Sequence, residues 1–323
     1  MIGSNKHRKH NTIYNDGPSH KLFFSEKKIF YFMMMPGLLC LFIFSYIPMI
    51  GIIISFQDYN PIKGLFRSDW IGFKNFEFFF KSITVIDVTL NTLFYNLTFL
   101  ITGMGISLLF AILLDEIINR SLAAVYKSVI LLPYLFSWVV ASYLLFSMLS
   151  PDKGVINNAL STIGKEPVMW YTEPSYWRVI IPIVYLWRNV GYSMVILIAG
   201  ISGISKEYYE AAEIDGATKF QKTIGITIPM IMPIVVTLVL LQAGKIFYGN
   251  FGDWGIFFNM PRESGVLLST TDVIDTYIYR SLRKMGDFGI TSAVGLYQSS
   301  VGCLLVLASN HIIKKIDPDS AMF

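Results

Sequence analysis

The stretch from Thr89 to Leu114, TLNTLFYNLTFLITGMGISLLFAILL, decides the fold because it contains no charged side chain. A helix needs roughly 20 mostly apolar residues to cross a bilayer, and this run is long enough. Its residues do not alternate between apolar and polar, as the strands of a membrane barrel would. Only helices and closed barrels satisfy their backbone hydrogen bonds in lipid. The stretch therefore predicts a membrane-spanning helix.

Five further runs of the same kind occur, and together they predict an all-α membrane protein with six transmembrane helices. The predicted spans are residues 28–56, 89–114, 124–149, 176–202, 226–247 and 290–313. Of the 323 residues, 54% are hydrophobic and 15% are charged, and the mean hydropathy is +0.53, which is above the range of a soluble domain. We expect one six-helix domain over residues 28–313, with tails at 1–27 and 314–323.

The distribution of positive charge predicts the orientation of these spans. An even number of spans puts both termini on one side. The density of Lys and Arg is modestly higher on the side of the tails and of the loop 203–225, and that side is expected to face the cytoplasm. The basic cluster Lys6, Arg8 and Lys9 lies in a tail beside a span, where anionic membrane lipid is the expected contact. We expect no nucleic-acid partner.

Several kinds of chemistry are missing from the sequence. Histidines lie in the tails or at the end of the last span, at His7, His10, His20 and His311, so a buried metal site or Ser/His triad is not expected. The chain also lacks the Gly-x-x-x-x-Gly-Lys-[Ser/Thr] phosphate loop of nucleotide-hydrolysing proteins. We therefore expect no enzyme activity, no metal and no cofactor in this chain.

The loop 203–225 has the signals of a short helix–turn–helix. Ser205 can cap the first helix, and Asp215-Gly216 can end it. Gln221 follows Thr218 by three residues, as in a capping box at the start of a second helix. These signals alone leave open a surface hairpin that merely joins two spans.

The same loop carries a sequence signature. It reads Glu210-Ala211-Ala212, then Gly216, then Ile226-x-Ile228-Pro229. This resembles the EAA signature of the bacterial ABC importer permeases, with Ile228 in place of the usual leucine as the one departure. Small alanines leave a surface for close approach, and Glu210 and Glu213 offer charge to a partner.

Other segments extend the resemblance over nearly the whole chain after the N-terminal tail. They resemble sugar permeases, in particular those that work with lipoproteins to import complex oligosaccharides: Tyr46-Ile47-Pro48-Met49, Ser55-Phe56-Gln57-Asp58-Tyr59, Trp70-Ile71-Gly72-Phe73-Lys74-Asn75-Phe76, Leu132-Pro133-Tyr134, Ser150-Pro151-Asp152-Lys153-Gly154 and Asp275-Thr276-Tyr277-Ile278-Tyr279-Arg280.

The resemblance implies a fold and a set of partners. The fold would be the type I, MetI-like transmembrane domain of an ABC importer, in a bacterial cell membrane and with both termini cytoplasmic. Its partners would be a second permease subunit, two ATP-binding subunits that hold ATP and Mg, and an extracellular lipid-anchored binding protein. The resemblance implies a heterodimer of permease subunits, and nothing in this chain excludes a homodimer. The substrate would be an oligosaccharide, with acidic polysaccharide fragments among the candidates.

The resemblance also implies roles for residues of the loop 203–225, which would hold a coupling helix. Carried over by position, Glu210 would pair with a basic group of the ATPase. Ala211 and Ala212 would pack in a cleft of that subunit, and Asp215 with Gly216 would form the turn.

Polar groups within the spans are costly, and they are candidates for the substrate pathway. The candidates are Arg188, Asn189, Tyr192, Gln242, Lys245 and Gln298. Amides, cations and aromatic faces suit sugar hydroxyls and carboxylates. Two other roles stay open: Arg188 could pair with backbone carbonyls or a partner's carboxylate, and Lys245 could reach the outer surface.

The alternative function is an ion-coupled secondary transporter of a small solute, which would place carboxylates within the spans. With the boundaries above, Asp87 and Asp115 lie just outside. Two segments outside the spans, Trp70–Phe76 and Asp272–Arg280, are predicted to form short helices at the membrane surface.

Overall fold

The computed structural model describes residues 19–247 and 255–316, and it is almost entirely helical. In chain order the helices are α1 Ser19–Leu41, α2 Lys74–Lys81, α3 Ile83–Asp115, α4 Arg120–Leu131, α5 Trp138–Leu149, α6 Val155–Thr162, α7 Pro174–Ser202, α8 Lys206–Ile214, α9 Lys219–Lys222, α10 Ile228–Ala243, α11 Gly255–Asn259, α12 Leu268–Thr271, α13 Ile274–Arg280 and α14 Phe288–Ile316.

Short turns and one small hairpin complete the described elements. The wider π turns and the tighter 3-10 turns are Phe42–Tyr46, Ile47–Phe56, Leu132–Leu135, Thr223–Thr227, Gly265–Leu267 and Ser281–Met285. The hairpin pairs β1 (Gln57–Asp58) with β2 (Asp69–Trp70) in antiparallel register. Trp70 is thus in a strand, and the helix predicted for Trp70–Phe76 begins only at Lys74.

Five of these helical segments are long and apolar enough to cross a membrane. Their bounds are Lys28–Phe56, Thr84–Asp115, Pro174–Ser202, Lys219–Ala243 and Phe288–Lys315. The first lies largely within a unit of its own that ends at Gly51, and its most apolar window contains no buried residue. The second begins before the predicted boundary, so that Asp87 and Asp115 lie within α3, both exposed near its ends.

The third predicted span, residues 124–149, is not one straight helix in the structure. Arg120–Leu135 and Trp138–Leu149 meet at 99°, and they count as one span only if the bent pair is taken together. Pro133 offers no N–H to continue α4. Phe136 is extended, and the Ser137 side chain accepts from the Val140 amide (3.3 Å), which starts α5 afresh.

The core of the second unit, which begins at Ile52, forms where α3 and α7 pack along each other. Ser107 donates to the Val190 carbonyl (3.1 Å), and the rings of Phe99 and Tyr185 stack with centroids 3.7 Å apart. Gly191 lets α7 approach the α4 backbone, because a Cβ there would lie 2.3 Å from the Ile130 carbonyl oxygen. The packed helices α3 and α7 connect the two ends of the bundle, where the segments described below attach.

Candidate functional site

The segment 203–225, called the hairpin segment below, folds as its capping signals predict. Ser205 accepts from the Glu207 amide (3.4 Å), and Gly216 ends α8 with φ +79°, in the left-handed region that glycine enters without steric cost. Thr218 and Gln221 bond each other's backbone amides at 2.8 and 3.3 Å, forming the expected capping box.

One face of α8 is attached to the bundle. Tyr209 shares a hydrogen bond of 2.9 Å with Thr227, at the start of the fifth span, and Ala212 on the same face is half-buried. Glu213 forms an ion pair of 2.5 Å with Lys222 across the turn. The hydrogen bond from Lys222, together with its charge, lowers the pKa of Glu213. The hydrogen bond of Tyr209 therefore holds α8 to the start of the fifth span, and the ion pair closes the turn between α8 and α9.

The opposite face of α8 has no cover among the residues described. Glu207, Glu210, Ala211 and Ile214 follow helical spacing along it and are all exposed. Ile214 is 87% exposed, and Phe220 of α9, in the same segment, is 73% exposed. Large apolar side chains in this position, beside carboxylates, are typical of a protein interface. Of these exposed residues, Glu210 and Ala211 were predicted from the sequence to meet a partner, whereas Ile214 and Phe220 were not.

The predicted pathway residues do not form one site. Asn189 and Gln242 line a cavity between α3, α7 and α10 together with Ser107 and Tyr185. Gln242 donates to the Tyr185 hydroxyl at 3.2 Å. The cavity measures only about 20 Å³, which is room for a single water molecule. In this conformation it is closed to a sugar.

Arg188 and Tyr192 lie at the bend of the third span, and Arg188 Nη1 also donates to Asn189 Oδ1 (3.2 Å), so this bend adjoins the cavity. The Arg188 Nε donates to the Phe136 carbonyl (2.9 Å), and its guanidinium lies 4.3 Å from the Trp138 ring centroid. Tyr192 stacks on Tyr134, with ring centroids 4.8 Å apart. Arg188 thus meets a backbone carbonyl, one of the two roles that the sequence left open, and it braces the extended residues between α4 and α5.

The remaining two candidates lie near the end of the bundle opposite the hairpin segment. Gln298 is buried and donates to the Phe247 carbonyl (2.6 Å) and to Asp275 (2.9 Å). It therefore connects α14, on which it lies, with α13 and with the residues that follow α10. Lys245 is exposed just beyond α10. These two residues are separate from the cavity lined by Asn189 and Gln242.

The residues 255–287, called the distal segment below, lie at that end, and those from 270 to 277 are all buried. Asn91 donates to the carbonyls of Ser269 and Asp272 (3.1 and 3.0 Å), and Thr92 accepts from the Ile274 amide (3.0 Å). The helix predicted for Asp272–Arg280 exists as α13, but Ile274 is fully buried. Its apolar face packs on α3 and α14, and its expected position at the membrane surface stays a prediction.

A buried ion pair spans α13. Both oxygens of Asp272, whose side chain is 4% exposed, accept from the Arg280 guanidinium, one of them at 2.7 Å. Thr276 donates to the same carboxylate at 2.6 Å. Buried charges require such pairing. This pair was not predicted from the sequence, because Asp272 lies before α13 and helical spacing gives no signal for its contact with Arg280.

Comparison with known families places this architecture among transport proteins of the membrane. Residues 103–252 match the family model described as "Binding-protein-dependent transport system inner membrane component". The permease protein YteP of the polygalacturonan/rhamnogalacturonan transport system of Bacillus subtilis (strain 168) is 31% identical over 90% of this chain and 89% of its own length. Protein LplB of the same organism is 30% identical, with 90% of each chain covered.

A solved structure agrees with these relatives. A bacterial ABC transporter involved in the import of the acidic polysaccharide alginate matches with a TM-score of 0.82 and 30% identity, over 92% of this chain and 99% of that one. The protein is thus a multi-pass membrane permease with the MetI-like fold. It belongs to the family of binding-protein-dependent ABC importer permeases. The ion-coupled alternative is set aside by this membership.

Proposed function

We propose that the chain forms half of the translocation pathway of an ATP-driven importer for an acidic oligosaccharide, delivered by an extracellular, lipid-anchored binding protein. A second permease subunit, in a heterodimer, would form the other half. Two partner ATPase subunits would bind ATP and Mg, with both termini of this chain on their side. Support for the substrate class comes from the relatives, whose names specify polygalacturonan, rhamnogalacturonan and alginate.

The observation that carries the proposal is the two-faced helix α8. Its inner face is bonded to the fifth span through Tyr209, and its outer face presents Glu210, Ala211 and Ile214 to solvent. A partner that grips the outer face and moves would therefore move the fifth span as well. Such rigid transmission is how a local event shifts a bundle between two states.

The proposed contacts follow from the chemistry of that face. Glu210 would accept from a basic side chain of the ATPase, and Ala211 would allow close approach. Ala212 and Asp215 with Gly216 would keep the helix on its axis. Ile214 adds an apolar anchor, the type of side chain that carries binding energy when it is desolvated in a partner's pocket.

The proposed contacts with the sugar are divided among three parts of the bundle. Asn189 and Gln242 would face the sugar when the bundle opens the closed cavity. Arg188 and Tyr192 would act at the bend of the third span, while Gln298 and Lys245 would act at the distal end. The contact that each residue makes with the sugar would arise only in the open state.

The test is ATP hydrolysis by the assembled complex in lipid, with and without loaded binding protein. We expect the loaded protein to stimulate hydrolysis, and Glu210→Ala to lower that stimulation about tenfold, as for a truncated interfacial charge pair. Glu166→Ala, the same change at an exposed glutamate of the loop 150–173, is the matched control and should leave stimulation unchanged. Equal stimulation of all three proteins would contradict the proposed coupling surface.

A further inference from the structure

A cavity in the distal segment has no role in the account above. It measures about 270 Å³ and lies between α11, α12 and α13. Glu116, just beyond the end of α3, lines a pocket with Tyr209 and Thr223 of the hairpin segment, whereas Asn91, near the other end of α3, holds the distal segment. The cavity is therefore at the end opposite the ATPase, where the substrate is delivered if the proposed function holds.

The walls of this cavity combine three kinds of group. Phe257 and Phe258 supply aromatic surface, and Ser264 supplies a hydroxyl. Asp272 with Arg280 supplies a rigid, planar ion pair, and a second pair joins Lys284 and Glu263 at 2.7 Å. An apolar wall with a few convergent polar groups is the usual construction of a small-molecule site.

The fixed geometry of Arg280 leaves donors for a ligand. A guanidinium carries five N–H groups, and two of Arg280's are bonded to Asp272. Among the residues that the structure describes, its remaining N–H groups have no acceptor. Thr276, which also binds Asp272, holds the carboxylate in place. A ligand hydroxyl could therefore meet a donor that is already oriented.

We propose that this cavity binds one pyranose unit of the oligosaccharide, before the sugar enters the translocation pathway. Its volume lies just below the roughly 300–1,000 Å³ of pockets for drug-sized ligands, so it suits one ring rather than a chain. Both cations in the wall are neutralised by Asp272 and Glu263. The ring is therefore recognised through its hydroxyls and its apolar face rather than through a carboxylate.

The test fills the cavity from a position that tolerates a side chain. Nothing lies within 4 Å of a Cβ added to Gly265, so Gly265→Trp should occupy the space and Gly265→Ala is the matched control. In the complex with binding protein loaded with trigalacturonate, we expect Gly265→Trp to raise the half-maximal concentration for ATPase stimulation about tenfold, as when a central contact is lost. Gly265→Ala should match the wild type.

One further measurement and one further variant fix the interpretation. Affinity for the unloaded binding protein should be the same in Gly265→Trp and Gly265→Ala. If Gly265→Trp lowers this affinity as much as it weakens stimulation, the result would overturn the sugar site in favour of a docking surface. Wild-type stimulation in Gly265→Trp would also overturn it, while the importer proposal would stand. Should Gly265→Trp not assemble, Phe258→Ala carries the test, with a several-fold loss expected and no loss contradicting the site.

A charge variant separates recognition of hydroxyls from recognition of carboxylates. Lys284 lines the cavity, whereas its exposed neighbour Arg283 does not. Lys284→Gln and Arg283→Gln should both change stimulation by trigalacturonate less than twofold. A large loss with Lys284→Gln alone would overturn the assignment of hydroxyl recognition. A wild-type complex without any stimulation would contradict the proposed function itself.

Discussion

The hairpin segment and the distal segment lie at opposite ends of the same bundle, and they are held in opposite ways. The hairpin segment is shaped by its own caps and joined to the spans through the Tyr209 side chain, with α8 left without a buried residue. The distal segment is anchored through Asn91, Thr92 and Gln298. The end that is proposed to bind the ATPase stays exposed, whereas the end that is proposed to receive substrate is built into the core.

The largest effect should come from breaking the ion pair of the distal segment. Arg280→Gln leaves the buried Asp272 carboxylate without its cation, and we expect the free energy of unfolding to fall by about 3 kcal/mol or more. Lys284→Gln breaks the exposed pair with Glu263 and should cost less than about 1 kcal/mol. Thermal unfolding of the purified complex measures both, and similar losses would contradict the contrast between buried and exposed pairs.

A smaller effect is expected at Gly216 in the hairpin segment. Valine in the left-handed conformation costs about 1–2 kcal/mol, so Gly216→Val should tilt α8 and reduce stimulated ATP hydrolysis about tenfold without unfolding the spans. Asparagine tolerates this conformation, which makes Gly216→Asn the control that retains most of the stimulation. If valine and asparagine behave alike, the turn does not set the position of α8.

The hydroxyl link between α8 and the fifth span should contribute less again. Tyr209→Phe removes one hydrogen bond, worth about 1 kcal/mol, and should lower stimulated hydrolysis several-fold while basal hydrolysis stays constant. Thr227→Val should do the same. In a double-mutant cycle the second substitution should add little, because both remove the same bond. Fully additive losses would show that the two hydroxyls act independently.

The smallest effect concerns the exposed pair of Glu213 and Lys222. Because the pKa of Glu213 is lowered in the folded protein, its contribution is present above the ordinary glutamate value of 4.5 and is lost as pH falls through the folded pKa. The difference in melting temperature between wild type and Glu213→Gln should therefore shrink as pH falls below 4.5. A difference that grows on acidification would contradict the assigned pairing.

Local signals made the hairpin segment predictable from sequence. Ser205, Gly216 and the pair Thr218 and Gln221 act within a few residues of each other, so each could be recognised without knowing the fold. The six apolar runs were recognisable for the same reason, since burial in lipid depends on composition alone. The fold class follows from these signals and the resemblance, as do Glu210 and Ala211 on the outer face of α8, whereas Ile214 on the same face does not.

Long-range contacts explain what the sequence did not reveal. Arg188 bonds Phe136, which is 52 residues away, so hydropathy could not show that the third span breaks there. Val273 and Ile274 have the spacing of an interfacial helix, yet Asn91 and Gln298 hold α13 inside. Arg188 and Gln298 were predicted to meet substrate because intramembrane polar groups are scarce. In this conformation both make protein contacts.

Ile214 and Phe220 also affect the chain before it is assembled. Their exposure is appropriate only when a partner covers them, because bare apolar surface promotes aggregation and degradation in the cell. We therefore expect the subunit to have a short lifetime when it is synthesised in excess of its partners. Balanced synthesis of all subunits would then be a requirement for its accumulation, to which these two side chains of a short loop contribute.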